Sequence, residues 1–212
     1  MKIMISCVVL AGGRSSRINK FYKAVLPLID KPLIMWLFES LQPVVDEFII
    51  VVRNESQRDE LGKYLDNAVI VRDDERFGLS GPLVGALTGA LKARAKIIFI
   101  VCCDQPFITP NVVLKTVGYC RNFEACVPRW PNGFLEPLTA AYRRKEYIDA
   151  VKKSLEGSQL KCIAPLRYLK TFYINVYELT HNPKITFYNI NTMEDYRNAQ
   201  DIAKEMLEDE AR

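Results

Sequence analysis

The sequence predicts an α/β domain on a mostly parallel sheet, and two observations carry that prediction. The runs "ISCVVLA", "EFIIVV", "AVIV" and "KIIFIVCC" are short and apolar on both faces, as strands buried within a parallel sheet are. Longer stretches with helical spacing of apolar residues lie between them, so the first half reads βαβαβαβ. The chain has 212 residues, 49% of them hydrophobic. That is enough for one sizeable domain burying roughly 70–75% of its unfolded surface.

Each element has its own signal. "ISCVVLA" is the first strand and runs into Gly12 and Gly13. "PLIMWLFESLQP" reads as a helix with Pro32 at its start, where a missing N–H does no harm. "EFIIVV" is the second strand, and "SQRDELGKYL" is a helix following Asn54. After the strand "AVIV", "GPLVGALTGALKAR" is a helix with basic residues at its C-terminal end, as the macrodipole favours. "KIIFIVCC" is the central strand. Beyond it the rhythm changes: "EACVPR" and "LEPLTAAYR" flank "WPNGF", which predicts a hairpin at or near a sheet edge. A helix "KEYIDAVKKSLEG", a strand "KTFYINVY" and a last strand "ITFYNI" follow. In "NTMEDYRNAQDIAKEML", Thr192 and Asp195 form a variant capping box that opens a C-terminal helix. No Pro/Gly/Ser-rich linker interrupts the chain, so residues 1–212 read as a single domain.

Composition excludes several classes of function. A formal net charge of +4 without a Lys/Arg-dense stripe argues against nucleic-acid binding. The six cysteines form no C-x-x-C pair and His181 is the only histidine, so a structural zinc site is not expected. Cys102 and Cys103 lie in an apolar run and read as core rather than as a redox pair. No stretch reaches the ~18 apolar residues of a membrane span, and the N-terminus lacks a cleavage pattern. Free thiols and no export signal predict a cytoplasmic protein.

In open α/β sheets ligands bind beyond the carboxyl ends of the strands, so those positions carry the functional reading. The first strand is followed by "LAGGRSSRINKFYK", which matches neither G-x-G-x-x-G nor the ATPase P-loop. Its adjacent glycines allow close approach of a ligand, and Arg14, Arg17, Lys20 and Lys23 are enough to surround a triphosphate. The central strand ends in "CCDQP". Asp104 either caps the turn before Pro106 or binds a magnesium ion shared with phosphate. Asp73 and Asp74 follow another strand, ahead of a Gly-rich entry into a helix whose amino end can face an anion. Asn189 and Asn191 sit near the end of "FYNINT", where capping and ligand roles are equally open.

Together these residues resemble the molybdenum cofactor guanylyltransferases, within the nucleotidyltransferase superfamily. The superfamily pattern L-A-G-G-x-x-x-R-x-x-x-x-x-K is matched from Leu10 through Arg17 to Lys23. "GPLVGAL", "CDQPF", "EPLTAAY" and "NINTMEDY" follow in family order and spread over nearly the whole chain. The resemblance implies a three-layer Rossmann-like nucleotidyltransferase fold, with residues 1–107 as the nucleotide-binding half and 108–212 as the acceptor-binding half. It implies a nucleotide site at Leu10, Ala11, Gly12, Gly13, Lys23, Asn54, Asp73 (or Asp74) and Asp104. It implies catalytic roles for Arg17, Lys23 and Asp104, Mg2+ on Asp104, and an acceptor site at Asn189 and Asn191. The reaction implied is GMP transfer from GTP to the terminal phosphate of molybdopterin, with transient contact to other molybdenum cofactor proteins. A transferase for another phosphorylated acceptor (cobinamide or sugar phosphate) and a non-catalytic nucleotide-binding regulator are the competing readings. The chain departs from the usual family pattern at Ile18, Asn19 and Tyr22.

Overall fold

The structure, a computed structural model, describes residues 3–13, 22–73 and 80–210. β1 (Ile5–Leu10) is followed by a small antiparallel hairpin, β2 (Pro27–Leu28) and β3 (Lys31–Pro32), and by α1 (Leu33–Leu41). β4 (Glu47–Val52), α2 (Glu55–Leu61), β5 (Val69–Arg72), α3 (Pro82–Lys92) and β6 (Ile97–Cys102) complete the alternating half. Then come α4 (Pro110–Tyr119), β7 (Ala125–Arg129), β8 (Ala140–Arg143), α5 (Arg144–Glu156) and β9 (Thr171–Asn175). α6 (Val176–Leu179), α7 (Pro183–Thr186) and α8 (Met193–Glu210) end the chain.

The main sheet has seven strands in the order β5-β4-β1-β6-β8-β7-β9. β1 pairs in parallel with both β4 and β6, and β8 is the antiparallel member between β6 and β7. The two-faced strands explain the apolar runs. Along β1, Ile5, Cys7 and Val9 join one core while Val8 joins the other; along β6, Phe99 and Val101 face one way and Ile98 and Ile100 the other. Helices α1, α2, α4 and α6 cover the first face and α3 and α5 the second, giving three layers. No helix among the described residues is long and apolar enough to cross a membrane.

The β7–β8 pair lies near the sheet edge as expected, with β9 added in parallel outside β7. One expectation about the second half needs correcting. "ITFYNI" is not a strand. Its β-branched and aromatic residues suggested one, yet the buried residues of this stretch are Pro183, Thr186, Phe187 and Ile190, at helical spacing. Pro183 opens the short helix α7 there. The capping box at Thr192 is present: its hydroxyl accepts from the Asp195 N–H at 3.1 Å, and its own N–H donates to Asp195 Oδ2 at 2.8 Å.

Two features hold the frame. α3 lies tight on β1 and β4 because Gly89 has no side chain; a Cβ there would collide with Val8 Cγ1 and sit 3.1 Å from Val51 Cγ2. At the amino ends of the strands, Glu47 is buried and accepts from the Ser6 hydroxyl, from the Arg94 N–H at 2.6 Å and from Arg94 Nε at 2.8 Å. Burial alone would raise the Glu47 pKa, but these hydrogen bonds outweigh it and hold the carboxyl below its ordinary value.

Gly89→Ala should therefore overpack the α3–sheet contact and lower stability by about 1–3 kcal/mol, read as a fall in the urea midpoint. Glu47→Ala strands the Ser6 and Arg94 donors and should cost about 2–3 kcal/mol at neutral pH. The folded-state pKa of Glu47 lies below the unfolded value of ~4.3. Its contribution is therefore complete above that value and is lost as pH falls through the lowered one. The stability gap between wild type and Glu47→Ala, from urea melts, should be constant from about pH 7 to 5 and shrink below about pH 4.

Candidate active site

The strand order turns between β1 and β6: one crossover leaves β1 toward β4, and the chain returns from β5 to β6 on the other side. Such a reversal opens a crevice at the carboxyl ends of the strands. A cleft of about 390 Å³ lies there, walled by Leu10–Gly13, Val51–Arg53, Asp73, the entry to α3 at Ser80–Pro82, and Cys102–Asp104. Backbone bonds set its floor: the Ala11 N–H donates to Val51 O at 2.8 Å and the Cys103 N–H to Leu10 O at 3.1 Å. Past those bonds the first strand leaves the sheet at the glycine pair. Gly81, at φ 140°, makes the turn that brings the amino end of α3 to the cleft, a backbone shape that other residues resist.

Lys23 stands in a short 3-10 turn, Lys23–Val25. Its Nζ donates to Asp104 Oδ2 at 3.1 Å and to Asn191 Oδ1 at 3.4 Å, joining residues from three distant parts of the chain. Asn191 is brought there by the packing of Ile190 with Leu26, Leu28, Trp36 and Phe107, and by the Ile190 N–H donating to Asp104 O at 3.0 Å. The second carboxylate oxygen, Asp104 Oδ1, is buried with no hydrogen-bond partner among the described residues. On the facing wall Asp73 accepts from Thr88 Oγ1 at 3.1 Å, and its N–H donates to Val52 O at 2.7 Å. Burial pushes the Cys102 and Cys103 thiols up in pKa, so both stay protonated; both line the cleft, and Cys103 also packs into the core.

The residues expected from sequence are thus partly gathered. Leu10, Ala11, Gly12, Gly13, Lys23, Asp73 and Asp104 all line the cleft. Asn191 joins them through Lys23, and Asn189 lies exposed in the same segment. Asn54 does not line it: its side chain caps α2, accepting from the Gln57 N–H at 2.9 Å. The preceding residue, Arg53, takes that place on the wall. Arg17, with Arg14 and Lys20, lies outside the described residues, as does Asp74. Tyr22 and Ser80 also line the cleft without having been foreseen. The strand-end rule that singled out Asp104 would also have found Arg53, which directly follows β4.

The donor set suits a hard cation. A buried, unpartnered carboxylate oxygen is costly unless something binds it. Among the described residues no group of three His, Cys, Asp or Glu could hold a metal alone. A magnesium-like ion on Asp104 would therefore complete its shell with substrate phosphate oxygens and water.

Comparison with known proteins agrees with this geometry. The family model of the MobA-like NTP transferase domain matches residues 7–167. A probable molybdenum cofactor guanylyltransferase from Methanosarcina mazei is 35% identical, over 95% of this chain and 92% of the relative. The crystal structure of molybdopterin-guanine dinucleotide biosynthesis protein A from Archaeoglobus fulgidus superposes with a TM-score of 0.79 at 26% identity, over 94% of this chain and 99% of that one. At the level of fold alone, 4-diphosphocytidyl-2C-methyl-D-erythritol synthase from Anaerococcus prevotii superposes with a TM-score of 0.72 at 15% identity, over 96% and 97% of the two chains. With the strand order, the cleft and the motif residues in place, the chain belongs to the MobA-like NTP transferase family.

Proposed function

We propose that this protein transfers GMP from GTP to the terminal phosphate of molybdopterin, forming the guanine dinucleotide and releasing pyrophosphate. The observation that supports this most is the meeting of Lys23, Asp104 and Asn191 at the cleft. A phosphate-binding lysine, a cation-binding carboxylate and an acceptor-side amide then share one point between the nucleotide half, residues 1–107, and the acceptor half, residues 108–212.

The acceptor phosphate is already anionic at neutral pH, so it needs no strong general base. Its oxygen attacks the α-phosphorus of GTP, and the bond to the bridging oxygen breaks, sending the electron pair out with pyrophosphate. Catalysis rests on positioning and charge neutralisation. The backbone of Ala11–Gly13 and the amino end of α3 receive the phosphates. Lys23 and Arg17 offset the charge that develops on the departing pyrophosphate. Thr88 holds Asp73 at the wall, where its carboxylate meets the nucleoside. Asn189 and Asn191 face the acceptor. Magnesium held by Asp104 would supply neutralisation of the α-phosphate. On this reading the enzyme works in the cytoplasm, in transient contact with other proteins of molybdenum cofactor assembly.

The test is pyrophosphate release on mixing the protein with molybdopterin, magnesium and either GTP or CTP. GTP should be favoured on the order of a hundredfold or more, because a site that hydrogen-bonds one base edge strands buried groups when another base enters. No release with either nucleotide would reject the reaction, and equal efficiency with CTP would reject the guanylyl assignment.

A further inference from the structure

The nucleotide reading uses the carboxyl ends of β5, β4, β1 and β6. The other half of the same sheet edge, beyond β6, carries a second polar feature that this reading leaves unused. β7 runs parallel to β6 in the sheet because both are antiparallel to β8. The segment after β7 and before β8, residues 130–139, therefore emerges on the same edge as Asp104. Within it the Trp130 indole Nε1–H donates to Glu136 Oε1 at 2.8 Å.

Two independent contacts place this pair beside the proposed reaction centre. Trp130 packs edge-to-face on Phe187, with ring centroids 6.0 Å apart. Phe187 leads directly into the Asn189–Asn191 segment, whose Ile190 N–H is bonded to Asp104 O. Separately, the Thr139 N–H donates to Glu136 O at 3.1 Å while the Thr139 hydroxyl donates to Gln105 Oε1, the residue next to Asp104. Glu136 is partly buried and forms no ion pair among the described residues. Its burial raises the carboxyl pKa, and only the Trp130 hydrogen bond works against that. A half-desolvated carboxylate with no cation partner among the described residues, oriented by an indole N–H, fits a planar heterocycle that brings its own N–H donors.

We infer that Glu136, held in place by Trp130, is the residue that reads the acceptor's ring system. It accepts hydrogen bonds from the adjacent N–H and NH2 groups of a 2-amino-4-oxo-pyrimidine edge, while the Trp130 indole lies against the ring. This rests on the proposed acceptor being a pterin. A ring carrying oxygen in place of the 2-amino group turns a lone pair toward the carboxylate and is rejected, which gives selectivity by repulsion as well as attraction.

The test is binding, followed by quenching of tryptophan fluorescence, of 6-hydroxymethylpterin monophosphate and of the matching lumazine monophosphate. Wild-type protein should bind the pterin tighter on the order of tenfold to a hundredfold. Glu136→Gln keeps the shape and an oxygen for Trp130 but lacks the charge; it should bring the two ligands to within a few-fold while GTP binding and melting temperature hold. A variant that kept the wild-type preference, or wild-type protein that showed none, would overturn the assignment. Should Glu136→Gln fail to fold, Trp130→Phe removes the N–H that orients Glu136 and should likewise reduce the preference, read in that variant by calorimetry. GMP transfer to molybdopterin, assayed on the same protein, separates the two readings. Transfer with an unaltered preference in Glu136→Gln removes the role of Glu136 alone. Glu136-dependent pterin binding without transfer removes the reaction and leaves the subsite.

Discussion

The Lys23 ammonium lies 3.1 Å from Asp104 and 3.4 Å from Asn191, and the cleft is arranged around that contact. As a source of stability it is modest: both side chains are about one-fifth exposed, at 18% and 21%. Ion pairs with that much solvent rarely contribute more than about 1 kcal/mol. The same carboxylate also carries a buried oxygen with no partner among the described residues, which costs free energy. A pair that stabilises little beside an atom that destabilises favours binding of a group that satisfies the carboxylate. The ligand suggested by the chemistry is a cation and its phosphates, which would satisfy Asp104 and release Lys23 on its flexible stem toward the triphosphate.

The rest of the fold works to hold that point. β1 and β6 are parallel neighbours with apolar residues on both faces, so their carboxyl ends are fixed from above and below. Gly89 lets α3 lie against Val8 and Val51, and that close seat carries the amino end of α3 to the opposite wall. At the other end of the sheet, the Glu47–Ser6–Arg94 cluster ties the starts of β1 and β4 to the end of the α3 connection. α8 packs over the small β2–β3 hairpin and α1, and Ile190, in the segment just before α8, is held in the same cluster and carries Asn191 to Lys23. Loops carry the polar groups, and packed strands and helices set where those loops start.

Much of this was legible in the sequence because the governing signals are local. Runs apolar on both faces mark parallel strands, and all four in the first half appear as β1, β4, β5 and β6; β1, β4 and β6 are buried as expected, whereas β5 is the edge strand, with Val69 exposed. Asp104 was conspicuous because an acidic residue directly after such a run needs a partner. The second half was harder. The residues of "ITFYNI" favour a strand by type, but Pro183 and the burial spacing of Thr186, Phe187 and Ile190 make the segment a short helix and turn. Asn54 looked like a ligand in sequence, yet an asparagine just before a helix has the N-cap as its ordinary role, and here it takes it. Glu136 opens the motif "EPLTAAY", but its pairing with Trp130 and its place beside Asp104 were not legible, since they depend on β8 reversing direction between β6 and β7.

The central claim is that Asp104 binds the cation that lets this cleft hold a nucleoside triphosphate for transfer, and Asp104→Asn tests it most directly. Asparagine keeps the size and removes the charge. The measurement is the melting temperature with GTP, in the presence and absence of magnesium, beside pyrophosphate release with molybdopterin. Wild-type protein should gain a magnesium-dependent rise in melting temperature that the variant lacks. Transfer in the variant should fall on the order of a thousandfold, because metal stabilisation of transition-state charge is worth several kcal/mol and each ~1.4 kcal/mol is tenfold. An Asp104→Asn protein that kept both the magnesium-dependent rise and its turnover would contradict the account.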